Sequence, residues 1–152
     1  MGDYSHTEGN SSTATGESAH AEGFKTQANG DNSHAEGEIT EAVGEASHAE
    51  GRSTQAIGEA SHAEGLWTDA TGYASHAEGY ESEASGFVTH AEGYYTQAIG
   101  QYSHAEGEET IASGESQHVQ GKYNIEDTEN RFAHIVGNGE YQAPSNMHTL
   151  DW

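Results

Sequence analysis

The sequence predicts an all-β fold, a parallel β-roll or solenoid wound from 14-residue coils. Three observations predict it. Nine histidines, from His6 through His20, His34, His48, His62, His76, His90 and His104 to His118, recur every 14 residues without a slip. Aligned on them, the copies spell S-H-A-E-G-x-x-T-x-A-x-G-x-x, most clearly from Ser33, Ser47, Ser61, Ser75, Thr89 and Ser103. Each copy is itself two similar halves of the form S/T-x-A-x-G-x-x, so that Ser47, Ala49 and Gly51 match Thr54, Ala56 and Gly58.

Residues 1–4 form a lead-in, and the roll of nine repeats spans 5–130. Within each half the small residues alternate with others. That is the period of two of a strand, whose successive side chains point to opposite faces. The two residues after each Gly read as a turn, with Gly supplying the backbone angles needed there. One copy is therefore one coil: strand, turn, strand, turn. A helix is disfavoured, because each periodic Gly would cost about 1 kcal/mol relative to Ala. Like strands of successive coils are expected to pair in parallel about 4.8 Å apart, giving a rod roughly 40 Å long. Ser/Thr, Ala and Gly of both strands should point into a thin lumen that nothing larger than Thr regularly occupies.

The end copies are looser, as capping coils of a solenoid would be. The copy at Ser5 reads SHTEGNSSTATGES, and the copy at Gln117 degrades to QHVQGKYNIEDTEN. From Tyr123 the period fails. Residues 131–152 are expected to form a short C-terminal cap and join to a downstream domain, in which chains tuck together or exchange strands. Phe132, Ile135 and Val136 supply its larger apolar groups, Gly137 and Gly139 flank a turn, Pro144 marks a loop, and Trp152 closes the chain. His134 and His148 stand off the 14-residue register and are given no role.

Composition bounds the function classes. The chain has 152 residues, 20 of them Gly, with 26 Asp+Glu against 4 Lys+Arg. A chain this polar would read as an acidic disordered tail if the repeat did not argue otherwise. A formal charge of −22 makes nucleic acid a poor partner, because phosphate binding needs clustered Lys and Arg. An anionic membrane surface is disfavoured for the same reason, and no apolar run approaches the roughly 20 residues that span a bilayer. The opening MGDYSHTEGN has neither the basic nor the apolar part of a signal peptide. It suits a chain made for the cytoplasm or a phage particle, or a piece of a longer protein. There is no Cys, so no disulfide staples the fold.

A single roll looks under-stabilised. Ordering one residue costs roughly 1–2 kcal/mol of backbone entropy. Burying a Val or Leu returns about 1.5–3 kcal/mol, and each coil offers mainly Ala. The outer faces of the strands are the remaining surfaces to bury, and they differ. On the second strand the outward pairs drift: Gln27/Asn29, Glu41/Val43, Gln55/Ile57, Asp69/Thr71, Glu83/Ser85, Gln97/Ile99, Ile111/Ser113. On the first they repeat: His20/Glu22, His34/Glu36, His48/Glu50, His62/Glu64, His76/Glu78, His90/Glu92 and His104/Glu106, with His118 following. Solvent does not demand one pair in every coil, whereas repeated contact with an identical partner does. The ladder is therefore expected to face an oligomer axis, the alternative being a merely exposed His–Glu face. Each carboxylate can accept a ring N–H, and the pairs supply register.

These motifs resemble the head domains of YadA-type trimeric autotransporter adhesins, whose paired S-x-A-x-G-x-x halves make 14-residue coils. The SHAEG version is similar to repeat arrays in tail-fibre proteins of phages and prophages of Gram-positive bacteria. The resemblance covers Ser5 to about Asn130. It implies a left-handed roll and a homotrimer. The stretch from Gln117 to Gly139 resembles the join between such arrays and an autoproteolytic chaperone domain. The implied function is a rigid trimeric shaft or head segment of a phage tail fibre or adhesin. It would present a multivalent surface for host attachment, on the virion tail or the bacterial cell exterior.

Other chemistry is weighed against this. Imidazole and carboxylate are sound ligands for zinc-like ions, so the ladder offers either structural hydrogen bonds, the reading adopted here with no metal or other cofactor, or an ion on the axis. Catalysis is not expected, because equivalent copies leave no residue made different from its neighbours. A polysaccharide-degrading tailspike is the rival in that class. The turns carry aromatics: Trp67, Tyr80, Tyr94 and Tyr95 after the first Gly, with Leu66 beside them, and Tyr73, Phe87 and Tyr102 after the second, with Val88. Such rings suit a neighbouring chain or a sugar face, and a dedicated glycan-binding head is the second reading.

Overall fold

The computed structural model of the chain describes residues 1–139. The expectations for Pro144, His148 and Trp152 lie outside the described residues. What is described is an all-β parallel solenoid of about ten turns, with coils of about 14 residues and no helix.

Two sheets run the length of the rod. The first has ten strands, each five residues long: β1 (His6–Asn10), β3 (His20–Phe24), β5 (His34–Glu38), β7 (His48–Arg52), β9 (His62–Leu66), β11 (His76–Tyr80), β13 (His90–Tyr94), β15 (His104–Glu108), β17 (His118–Lys122) and β18 (His134–Asn138). The second has eight strands of two residues: β2 (Thr13–Ala14), β4 (Gln27–Ala28), β6 (Glu41–Ala42), β8 (Gln55–Ala56), β10 (Asp69–Ala70), β12 (Glu83–Ala84), β14 (Gln97–Ala98) and β16 (Ile111–Ala112). Each strand pairs in parallel with its counterpart one coil away, like residue against like position: His62 with His76, Ala63 with Ala77, Glu64 with Glu78.

The lumen is as thin as the sequence requires until the coil at Gln117, where Gln117 and Val119 are fully buried. Ala35, Ala42, Ala49 and Ala56 are fully buried, and Thr54 and Thr68 with them. Buried hydroxyls donate locally instead of searching for water: Ser47 Oγ to Gly44 O at 2.7 Å, Ser61 Oγ to Gly58 O at 2.6 Å, Thr54 Oγ1 to the Glu50 carbonyl at 3.2 Å. A buried hydroxyl left without a partner would cost about 1–3 kcal/mol, and these bonds remove that penalty.

The turns differ from expectation in two ways. The second Gly of each coil does not supply the left-handed angle. A Cβ on Gly58 would lie 1.9 Å from Gly72 O of the next coil, so close stacking of the coils excludes any side chain there. The left-handed residue is instead the second one after each Gly, every seventh position from Tyr4 to Tyr123, including Ile39, Trp67 and Val88, and Asn130 continues the series without a Gly before it. The corner has to reverse within two residues, and one of them turns to φ near +55°, as Ser53 does. The first Gly does have positive φ (+105° at Gly51) but is exposed, not luminal. Its row floors a shallow groove beside the Glu ladder.

The tail also departs from the register argument. His134 is in the ladder: β18 pairs in parallel with β17, His118 against His134 and Gly121 against Gly137. The coil from His118 holds two extra residues, which loop out over the end of the second sheet. There the Asn124 amide substitutes for a following strand, accepting from Ile111 N at 2.7 Å and donating to Ile111 O at 2.9 Å. Gln117 Oε1 accepts from Ser113 N at 3.0 Å, and its Nε2 donates to Phe132 O at 3.0 Å. Asp127, 3% exposed, accepts from Phe132 N at 2.8 Å and pairs with Arg131. Burial opposes its charge, but those donors bring its pKa below the usual range. The sheet end is thus closed to further pairing, which blunts an edge that would otherwise aggregate.

Candidate functional site: the imidazole–carboxylate ladder

The first sheet turns its His and Glu away from the lumen, on the opposite face from Ala, because strand side chains alternate. In the single chain the ladder lies on the outer surface, half-buried by its own neighbours. The His76 and Glu64 side chains are 35% and 32% exposed, against 65% and 62% for His6 and Glu8 at the open end.

Parallel, in-register pairing stacks the imidazoles face to face. Ring centroids are 4.8 Å apart with planes within 4° from His20 to His34, and 4.9 Å and 2° from His104 to His118. The stack continues to His134 at 5.1 Å and loosens at His6, where the rings tilt by 54°. The repeat distance is the strand spacing itself.

From His90 to His118 each imidazole reaches back to the carboxylate of the preceding coil, while His20 lies nearest Glu22 of its own coil at 3.7 Å. His90 Nε2 lies 3.2 Å from Glu78 Oε1, His104 Nε2 3.3 Å from Glu92, and His118 Nε2 3.3 Å from Glu106. The sequence points to His–Glu neighbours but not to this 12-residue offset. Toward the N-terminus the same pairs open beyond hydrogen-bonding reach: His76–Glu64 is 3.6 Å, His48–Glu36 3.7 Å and His62–Glu50 3.9 Å. His48 Nε2 also lies 4.0 Å from Glu50 of its own coil. The Nε2 atoms of His20, His34, His48, His62 and His76 are shielded from solvent and lack a hydrogen-bond partner. Burial, then the charge of His48, lowers the pKa of His34, while Glu36 opposes. A neutral ring is favoured there.

Several His–Glu groups bring one ligand atom from each residue within 4.8 Å of one another, among them Glu22–His34–Glu36, Glu36–His48–Glu50 and Glu50–His62–Glu64. Both ring nitrogens and carboxylate oxygens are competent ligands for borderline divalent ions.

The predicted aromatics form two ridges. Along the first turn Trp67 meets Tyr80 edge-on at 5.4 Å, Tyr80 stacks on Tyr94 at 5.2 Å, and Tyr94 meets Tyr95 at 4.5 Å. Along the second, Tyr73 stacks on Phe87 at 5.1 Å and Phe87 meets Tyr102 edge-on at 5.7 Å. All but the half-buried Tyr80 are exposed, from 38% at Tyr95 to 51% at Tyr102. A hydrogen bond to Glu81, then burial, holds the Tyr95 phenol well above its ordinary pKa.

Sequence reasoning missed His134 in the ladder and the Asn124–Gln117–Asp127 closure. The first had a signal: His134-Ile-Val-Gly137 repeats the H-x-x-G of His118-Val-Gln-Gly121. No protein-family model matches this chain, and no curated protein matches it.

Proposed function

We propose that this protein is a rigid structural segment, a shaft or head, of a phage tail fibre or adhesin. It works as a left-handed homotrimeric roll. In this reading three ladders meet along the trimer axis, and the opposite faces and turns are presented to the host surface. The protein is not an enzyme. It acts by mechanics and multivalency: three identical edges raise avidity for a repeated ligand without one strong site.

The observation that carries the reading is the contrast between the faces. The outward pair of the first sheet is His/Glu in coil after coil, while that of the second sheet changes, although both sheets share one coil, one register and one lumen. The likeness to YadA-type heads supports the same assignment. Light scattering on the full chain tests it: the expected mass is three times 16.1 kDa. A single-chain mass across the micromolar range overturns it.

The second reading is a glycan-binding head, favoured by the ridge of Trp67, Tyr80, Tyr94 and Tyr95, exposed at all but the half-buried Tyr80. Aromatic faces suit sugar rings. A glycan array probed with the intact assembly separates the two: specific binding lost on Trp67→Ala and Tyr94→Ala favours the head, and no binding favours the shaft.

A further inference from the structure

We infer that the His–Glu ladder is a linear array of binding sites for a borderline divalent metal ion such as Zn²⁺, each built from one imidazole and the carboxylates that flank it. A single chain supplies all three ligands, so the inference does not rest on the trimeric reading.

Structural hydrogen bonding accounts for only part of the ladder. From His90 to His118 each Nε2 has its carboxylate at 3.2–3.3 Å. From His34 to His76 the Nε2 atoms are shielded from solvent and unpartnered, with carboxylate oxygens of the neighbouring coil 3.6 to 3.9 Å away where they pair. That is too long for a hydrogen bond. It is close to the separation of roughly 3.3 Å between ligands around a tetrahedral ion held at about 2.0 Å. The ligand atoms of each cluster lie within 4.8 Å of one another, so rotation of the glutamate side chains has to draw them in to complete the site, with water in the remaining position. Nitrogen in the ligand set selects zinc-like ions over Mg²⁺ and Ca²⁺, which prefer all-oxygen shells.

Charge makes the same demand. Glutamates stack in register, Glu22 on Glu36 and Glu36 on Glu50, so like charges repeat at the strand spacing. One divalent ion on Glu22, His34 and Glu36 balances two carboxylates, and the next cluster that shares no residue with it is Glu50, His62 and Glu64. Adjacent clusters share a carboxylate, so ions fill alternate coils. The groove floored by Gly37 and Gly51 runs beside these carboxylates and gives ions a path in.

Titration of the chelator-treated full chain with Zn²⁺ in a calorimeter tests the inference. The expected result is at least two ions per chain, with no comparable uptake of Mg²⁺. His34→Gln, His48→Gln and His62→Gln together should remove about two of the ions, while Glu41→Gln and Glu83→Gln on the second sheet should remove none. Fewer than one ion per chain, equal uptake of Mg²⁺, or an unchanged count in the triple variant overturns the inference. Should the triple variant not fold, Co²⁺ added to the unaltered chain decides: visible bands displaced by Zn²⁺ support imidazole ligation, and their absence overturns it.

Discussion

The two sheets of this roll are a comparison built into one chain. Both wind around the same lumen, bury a row of Ala (Ala21 to Ala105 in the first, Ala14 to Ala112 in the second) and pair in parallel coil by coil. Yet the second tolerates Gln55, Asp69, Glu83, Gln97 and Ile111 in one outward row, while the first keeps His62, His76, His90 and His104. Since the second sheet forms without a fixed outward pair, the coil does not require one. The uniformity of the first face goes with its coil-to-coil stack of imidazoles and His–Glu pairs, and it is what the proposed partner ladder or the proposed ions would also account for.

The largest expected effect tests what the sheets share. Gly58→Ala places a methyl carbon 1.9 Å from Gly72 O, and Gly51→Ala places one 2.3 Å from Gly65 O at a φ of +105°. Both should cost about 3 kcal/mol or more in urea unfolding. A variant of near-native stability on one side only would show that the sheets do not obey one stacking rule.

Next comes the ladder itself. Replacing His62 and Glu64 together by Ala should destabilise the assembly by about 1–3 kcal/mol and shift its mass distribution toward single chains. Gln55→Ala with Ile57→Ala should stay within about 0.5 kcal/mol. Equal melting shifts would erase the distinction between the faces.

A smaller effect comes from pH. His34 faces His20, His48, Glu22 and Glu36, and burial leads in lowering its pKa. Its folded pKa lies below the unfolded value of about 6.5, so the unfolded chain binds more protons as pH falls. This contribution is present above that value and is lost on acidification. With chelator present, melting temperature should fall between pH 7 and pH 5. A rise would mean that the folded ladder takes up protons.

The smallest effect lies on the second sheet. Burial and then Glu83 raise the pKa of Asp69, so its charge opposes folding at neutral pH. Asp69→Asn should raise stability by about half a kcal/mol at pH 7, with the gain vanishing as pH drops through the carboxylate range. A loss of stability at pH 7 would show that the second face, like the first, depends on its charged groups.

The repeat made most of this fold legible. Period two within seven residues and period 14 along the chain place Ala49, Ala56 and Thr54 inside and His48 and Glu50 outside, as found. A solenoid's contacts are between neighbouring copies, so sequence spacing translates directly into spatial register. The site was legible as a row of His and Glu, but not as which His meets which Glu, because the 12-residue offset depends on side-chain lean between coils.

What the sequence determined by itself is the coil: small residues wherever the lumen leaves no room, and Gly wherever the next coil's backbone comes too near for a Cβ. What only the tertiary structure decided lies between coils and at the end. It set the open spacing of His34 through His76 against the closed pairs of His90 through His118, and the left-handed corners at Ile39 and Val88. It also returned His134 to the stack after a 16-residue coil, with Asn124 covering the sheet end at Ile111. A period describes equivalent neighbours. Where two residues are inserted, or a side chain takes the place of a strand, the partners are no longer equivalent, and only their positions in space pair them.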